Sequence, residues 1–301
     1  MVAQLSDEVR EAIADGAGVV ALESTIIAHG LPRPRNLEVA RELEAAVRDA
    51  GAVPATIAML DGEVHVGLED WGLRRIAGHE VAKLSLRDLP LAASRRTNGA
   101  TTVASTAHLA AAAGIRVFAT GGLGGVHRDA RESWDESADL LALSRTPIVV
   151  VAAGVKSILD VGATIERLET LGVAVAGWRT SRFPGFYLAD GGFDLDWRVE
   201  RPEEVAAAMA AADELGVSSA LLVANPVAVE QQLDPAEHER VLAEGLELAR
   251  AQGVTGKAVT PFLLDHLHRA TDGRSLEVNV AVALANATVA GAIATAWGRR
   301  R

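Results

Sequence analysis

Short apolar runs alternate along the chain with stretches whose apolar residues recur at three- and four-residue spacing. The runs at 19–22, 56–60, 64–67, 116–119, 148–152, 173–176 and 220–224 predict strands. The stretches at 36–50, 100–113, 164–171, 202–215 and 235–252 predict helices. Several of these helices run into a glycine, at Gly51, Gly114, Gly172, Gly216 and Gly253, and the next apolar run follows. Glycine accepts the left-handed conformation that ends a helix, so the punctuation agrees with the periodicity. Strands alternating with helices predict an α/β fold of three α/β/α layers, with a largely parallel central sheet and a single domain over 1–301. An uninterrupted run such as 148–153 suits a strand covered on both faces.

Two regions stand apart. The stretch 278–297 is long and mostly apolar, yet it is built mainly from Ala and Val and carries Asn279, Asn286 and Thr288. Amides at those positions predict a buried core helix and not a membrane span. The stretch 179–197 is irregular and holds Phe183, Phe186, Tyr187, Phe193 and Trp197. An inserted hairpin, a lid and an oligomer surface all fit it.

Composition narrows the function. Of 301 residues, 49% are apolar and 23% charged, a globular balance. The absence of cysteine excludes disulfides, thiolate metal sites and cysteine nucleophiles. With 29 basic and 40 acidic residues the net charge is −11, which argues against a nucleic-acid polymer as partner. A small phosphorylated substrate stays compatible, because a local pocket can oppose the global charge. The first ten residues are polar, so no secretory signal is expected and the reading is cytoplasmic.

Ligands of open α/β sheets sit beyond the carboxyl ends of strands. Glu23-Ser24-Thr25 follows the first run, Lys83-Leu84-Ser85 follows the residues ending at Ala82, Thr120 to Arg128 follows the run at 117–119, and Lys156-Ser157 follows the run at 148–152. If the strands are parallel, a carboxylate, two lysines and a glycine-rich loop share one rim. The loop Gly121-Gly122-Leu123-Gly124-Gly125 offers bare backbone N–H groups to an anion, with His127 and Arg128 adding donors. A tight turn packed against a helix explains it equally well, and it matches neither the Rossmann nor the Walker spacing. The chain has only three lysines, Lys83, Lys156 and Lys257. An amine that loses its proton is a nucleophile, a role closed to arginine. Asp135 and Asp139 are spaced to share a helix face, where a hard cation could take one of them; Asp135 as a helix cap with Asp139 toward solvent is the plainer reading. Glu23, at a partly buried strand end, suits a general acid. Asn279 could read a planar amide such as uracil.

Together these segments resemble one family, the pseudouridine-5′-phosphate glycosidases, also called indigoidine-synthase-A-like. The blocks are ALESTIIAHGLPRPRNLEVA at 21–40, GATTVASTAHLAAAAGIRVFATGGLGGVHR at 99–128, SWDESADL at 133–140, VVVAAGVKSILD at 149–160, TLGVAVAGWRTSRFPGFY at 170–187, GKAVTPFLL at 256–264 and SLEVNVAVALANA at 275–287. The resemblance implies reversible cleavage of pseudouridine 5′-phosphate to uracil and ribose 5-phosphate with Mn²⁺. It implies Lys156 as the imine-forming nucleophile, Glu23 as the proton donor and Asp135 as the metal residue. Lys83, Val103 and Ser137, Ala138 and Asp139 resemble substrate contacts, and His127 and Asn279 are further candidates. It also implies a homotrimer. Two departures stand out: the block after Asn225 lacks the second proline of the usual NPIP pattern, and Trp134 stands where Phe is commoner. A lysine-imine lyase or aldolase on another sugar phosphate, a different C- or N-glycosidic nucleotide, and a non-catalytic sugar-phosphate binder remain the alternatives.

Overall fold

The computed structural model describes residues 3–254 and 259–300. The strands are β1 (Gln4–Leu5), β2 (Val19–Leu22), β3 (Val53–Leu60), β4 (Glu63–Val66), β5 (Ala82–Leu84), β6 (Gly99–Thr101), β7 (Val117–Ala119), β8 (Val149–Ala152), β9 (Ala174–Trp178), β10 (Arg182–Phe183), β11 (Phe193–Asp194), β12 (Trp197–Val199) and β13 (Leu221–Ala224). The helices are α1 (Asp7–Ala14), α2 (Arg35–Asp49), α3 (Asp70–Gly78), α4 (Leu89–Ser94), α5 (Val103–Ala112), α6 (Ala130–Ser133), α7 (Ala138–Leu143), α8 (Val161–Thr170), α9 (Pro202–Leu215), α10 (Pro235–Ala251), α11 (Val259–Ala270) and α12 (Arg274–Gly298).

The main sheet runs β1-β4-β3-β2-β7-β8-β13-β9-β12. From β3 to β12 every neighbouring pair is parallel. Side chains alternate faces along each central strand. Phe118 and Val150 pack into one apolar cluster, while Val117, Ala119, Val149 and Val151 pack into another. Both clusters are buried, which is why these strands read as continuous apolar runs. Phe118 is fully buried; truncating it to Ala should cost about 3–5 kcal/mol. Helix α12 crosses β2, β7 and β8 between α2 and α9. It is long and apolar enough to span a membrane, and its place is the core layer that the sequence predicts.

All five predicted glycine stops have positive φ. The pattern misjudges two places. Residues 99–101 form β6, and helix α5 begins only at Val103. Strands β5 and β6 pair in parallel with each other, but β6 runs antiparallel to β3. Lys83 therefore comes from a strand directed against the main sheet, and it lies within β5, not after it. The segment 179–197 contains the small antiparallel pair β10–β11. Phe183, Phe186 and Tyr187 are buried, whereas Trp197 is exposed.

Candidate active site

At the carboxyl ends of β2, β7 and β8 the chain leaves a cavity of about 500 Å³. Its walls include Glu23, Lys83, Lys156 and Asn279, residues that lie up to 256 positions apart (279 − 23). Gly121, Gly122, Phe186 and Tyr187 line it as well. After Thr25 the backbone winds a π turn, Ile26–Gly30, that brings Ile26 and His29 to the same wall. Such wide turns re-aim side chains and cluster at functional sites.

Glu23 is gripped from both sides. The Thr25 hydroxyl donates to one carboxylate oxygen and the Thr120 hydroxyl to the other. Burial pushes the Glu23 carboxyl above the ordinary carboxylate range. The charges of Lys156 and Lys83 and the Thr120 hydroxyl pull the other way without reversing it, and Asp139 adds to the rise. Thr120 is itself fixed: the buried Asn286 amide donates to the carbonyls of Thr120 (2.7 Å) and Gly121 (3.3 Å). Asn286 Oδ1 accepts from Asn225 at 2.9 Å. The amide that marked α12 as a core helix is thus a strut beneath the carboxylate.

The two ammonium groups share this space. Loss of hydration around the amine, and next the charge of Lys156, push Lys83 below its ordinary value, opposed by Glu23 and Asp139. Lys156 is half-buried at the cavity wall. His29 lies below the ordinary imidazole value because of burial and then Lys83.

Several expectations change. Asp135 and Asp139 do not share a helix face. Asp135 precedes the helix, Ser137 caps α7, and Asp139 sits in its first turn. Asp139 does not face solvent either. It is buried, and its two oxygens accept the backbone N–H groups of Ala104 (3.0 Å) and Gly124 (2.9 Å). It joins the start of α5 to the glycine-rich loop. Part of that loop spends its donors internally: the N–H groups of Leu123, Gly124, Val126 and His127 go to Gly154 O, Asp139, Thr164 Oγ1 and Asp135 O. Those four are committed within the fold, while Gly121 and Gly122 line the cavity. The glycines are required by close packing, since a Cβ on Gly122 would stand 2.5 Å from the Phe186 ring.

The residues Val103, His127, Asp135, Ser137, Ala138 and Asp139 are not among the cavity's lining side chains. Val103 opens α5 and is buried, and Ala138 is exposed at the start of α7. His127 Nδ1 approaches Asp135 Oδ2 at 3.9 Å. Lys257 lies outside the described residues. Sequence reasoning missed Thr120, Asn225 and Asn286 as supports of the site. The available signal was polar residues closing or interrupting apolar runs.

Comparison with known proteins supplies the relatives. The profile of the family described as "Indigoidine synthase A like protein" matches residues 8–296. The chain is 65% identical over 296 residues to the pseudouridine-5′-phosphate glycosidase of Salinispora tropica, covering 98% of this chain and 91% of that one. It is similar in structure to the prealnumycin C-glycosynthase AlnA, solved in complex with ribulose 5-phosphate. That match has a TM-score of 0.93 and 37% identity, over 100% of this chain and 98% of the other. An indigoidine synthase A (IdgA)-like protein from Thermotoga maritima matches with a TM-score of 0.90 at 37% identity, over 99% and 97% of the two chains.

Proposed function

The chain belongs to the indigoidine-synthase-A-like family, and from that membership we propose that it reversibly cleaves pseudouridine 5′-phosphate to uracil and ribose 5-phosphate. The observation that carries the reading is one cavity walled by the Lys156 amine and by a Glu23 carboxyl whose pKa burial raises. The bond to be broken joins carbon to carbon, so two carboxylates acting on a glycosidic oxygen do not suffice. In the proposed course the uncharged Lys156 amine bonds to C1′ as the C1′–O4′ bond opens, and the ring oxygen leaves with a proton. The nitrogen lone pair then forms a cationic imine as the bond from C1′ to the base breaks. The electron pair of that bond stays on uracil C5, which takes the proton of Glu23. Water hydrolyses the imine and frees ribose 5-phosphate and the amine.

Lys83 places positive charge where a phosphorylated sugar enters an otherwise acidic protein, and Asn279 offers an amide to the base. Phe186 and Tyr187 supply an aromatic wall, their rings packed edge to face. We assign the metal to Asp135. Among the described residues no group of three or more His, Asp or Glu could enclose an ion. The proposed arrangement is a largely hydrated Mn²⁺ on the Asp135 carboxylate, with His127 Nδ1 3.9 Å from that carboxylate. Asp139 is given a different part, since its oxygens already accept the backbone N–H groups of Ala104 and Gly124. Bound there, the ion would supply positive charge beside the end of the glycine-rich loop. A homotrimer belongs to the same proposal and is checked by mass in solution.

Incubation with pseudouridine 5′-phosphate and Mn²⁺ should release free uracil, followed by its change in absorbance. Turnover of another sugar phosphate without uracil release would favour a lyase or aldolase. Binding of ribose 5-phosphate without any turnover would leave a sugar-phosphate binder.

A further inference from the structure

Two side chains outside the cavity converge on the residue after Lys156. His238, on α10, places Nε2 2.8 Å from the hydroxyl of Ser157. Both residues are buried, at 6% exposure each. The Arg128 guanidinium donates to the carbonyls of Ser157 (3.1 Å) and Ile158 (3.2 Å). The Lys156 N–H donates to Leu123 O at 3.2 Å, and its carbonyl accepts from Leu159 N–H at 2.9 Å. The turn that carries the amine is thus held on its hydroxyl, its carbonyls and its N–H. Burial, and next the charge of Arg128, keep His238 below the ordinary imidazole value, so it is uncharged at neutral pH.

A serine and a histidine at this distance have the outline of a nucleophile and its base. Neither lines the cavity. The pair is instead joined to the cavity through the chain at Lys156 and through Tyr187, which does line it and whose ring centre is 6.0 Å from that of His238.

We propose that His238 and Ser157 are positioning residues that fix the turn at 156–158 and so set the reach of the Lys156 amine to the sugar carbon. The proposal rests on the reading of Lys156 as the bond-forming amine. A misplacement of about 1 Å in a reacting group costs up to about a hundredfold in rate, whereas substrate binding by the remaining walls is untouched. The expected signature is therefore a fall in kcat without a matching change in KM.

The test compares Ser157→Ala, His238→Leu, their double variant and His238→Gln in the full chain. Uracil release is measured per mole of folded enzyme, borohydride trapping with ribose 5-phosphate is scored separately, and folding is followed by thermal unfolding. Each single loss should lower kcat about tenfold, with KM for pseudouridine 5′-phosphate unchanged within about twofold. The double variant should lose no more than the worse single, because the two residues act as a unit. His238→Gln keeps a side-chain nitrogen at similar reach and should recover most of the rate. Should His238→Leu fail to fold, the contrast between Ser157→Ala and Ser157→Thr, which keeps the hydroxyl, decides. A folded Ser157→Ala with unchanged kcat, a loss carried by KM, or losses that multiply in the double variant would overturn the pair. If the wild type yields no borohydride-trapped adduct, the Lys156 reading itself is overturned, a result separate from normal trapping in unaffected variants.

Discussion

Glu23 and Glu44 are carboxylates that burial pushes above the ordinary range, and each accepts a threonine hydroxyl. Their surroundings differ in one chemical respect. Glu44, on α2, takes the Thr56 hydroxyl at 2.6 Å and has Arg48 at 3.6 Å. It borders a cleft of about 290 Å³ lined also by Arg41, Asp7, Glu8, Glu69 and Asp70. Glu23 borders a larger cavity in which the cations are Lys83 and Lys156. A guanidinium stays protonated and can only balance charge; an ammonium can give up its proton and form a bond. Burial of a carboxylate therefore does not mark a catalytic site in this protein. In the proposed function the distinguishing feature is a carboxyl that shares its cavity with amines.

The largest expected effect breaks the amine side of that contrast. Lys156→Ala and Lys156→Arg should both lose turnover by at least about three orders of magnitude while unfolding like the wild type. Measurable uracil release from Lys156→Arg would remove the imine from the scheme. Next come the two carboxylates. Glu23→Gln should lower kcat by about 10²–10⁴-fold, and Glu44→Gln should leave it unchanged. Both folded-state pKa values are raised, so each carboxyl binds more protons folded than unfolded. Stability falls as pH climbs from the ordinary carboxylate value through the raised one. Each Gln variant should flatten that fall in a pH series of melting temperatures. By the same sign the Glu23-dependent rate should decline on the alkaline side, above the usual carboxylate range, and Glu23→Gln should lack that limb. Equal activity losses in the two variants would erase the distinction.

Smaller effects sharpen it. Asp135→Ala should raise the Mn²⁺ concentration needed for half-maximal rate, read by metal titration after chelation; a wild type indifferent to chelation would refute the metal assignment. Gly122→Ala would place a methyl carbon 2.5 Å from the Phe186 ring. It should cost about 1–3 kcal/mol in stability and raise KM through the displaced wall. No change in either would mean that the wall yields freely.

The sequence pattern recovered elements that depend on near neighbours. The glycine stops are legible because a helix end is decided by one residue's φ. The core place of α12 is legible from amides within an apolar stretch. Glu23 and Lys156 are legible as residue types placed just beyond strands. Three things were not. Asp139 changed from a supposed solvent-facing partner of Asp135 to a buried acceptor, because its contacts, Ala104 and Gly124, are 35 and 15 residues away (139 − 104 and 139 − 124). The glycine-rich loop uses its N–H groups on residues of β8's continuation and of α7 and α8, which no local spacing displays. Lys83 reached the cavity from a strand running against the sheet, a direction set by the pairing of β6 with β3.

Apolar periodicity, helix stops, the want of cysteine and the rarity of lysine were fixed by the order of residues alone, because each is a property of a residue or of its immediate neighbours. The meeting of one carboxyl with two amines, its two threonine donors, and the hold of His238 on the turn beside Lys156 were decided by the tertiary structure. Those are relations across as many as 133 positions in the chain (156 − 23), and only the closing of the sheet and the packing of helices on both its faces bring such groups together.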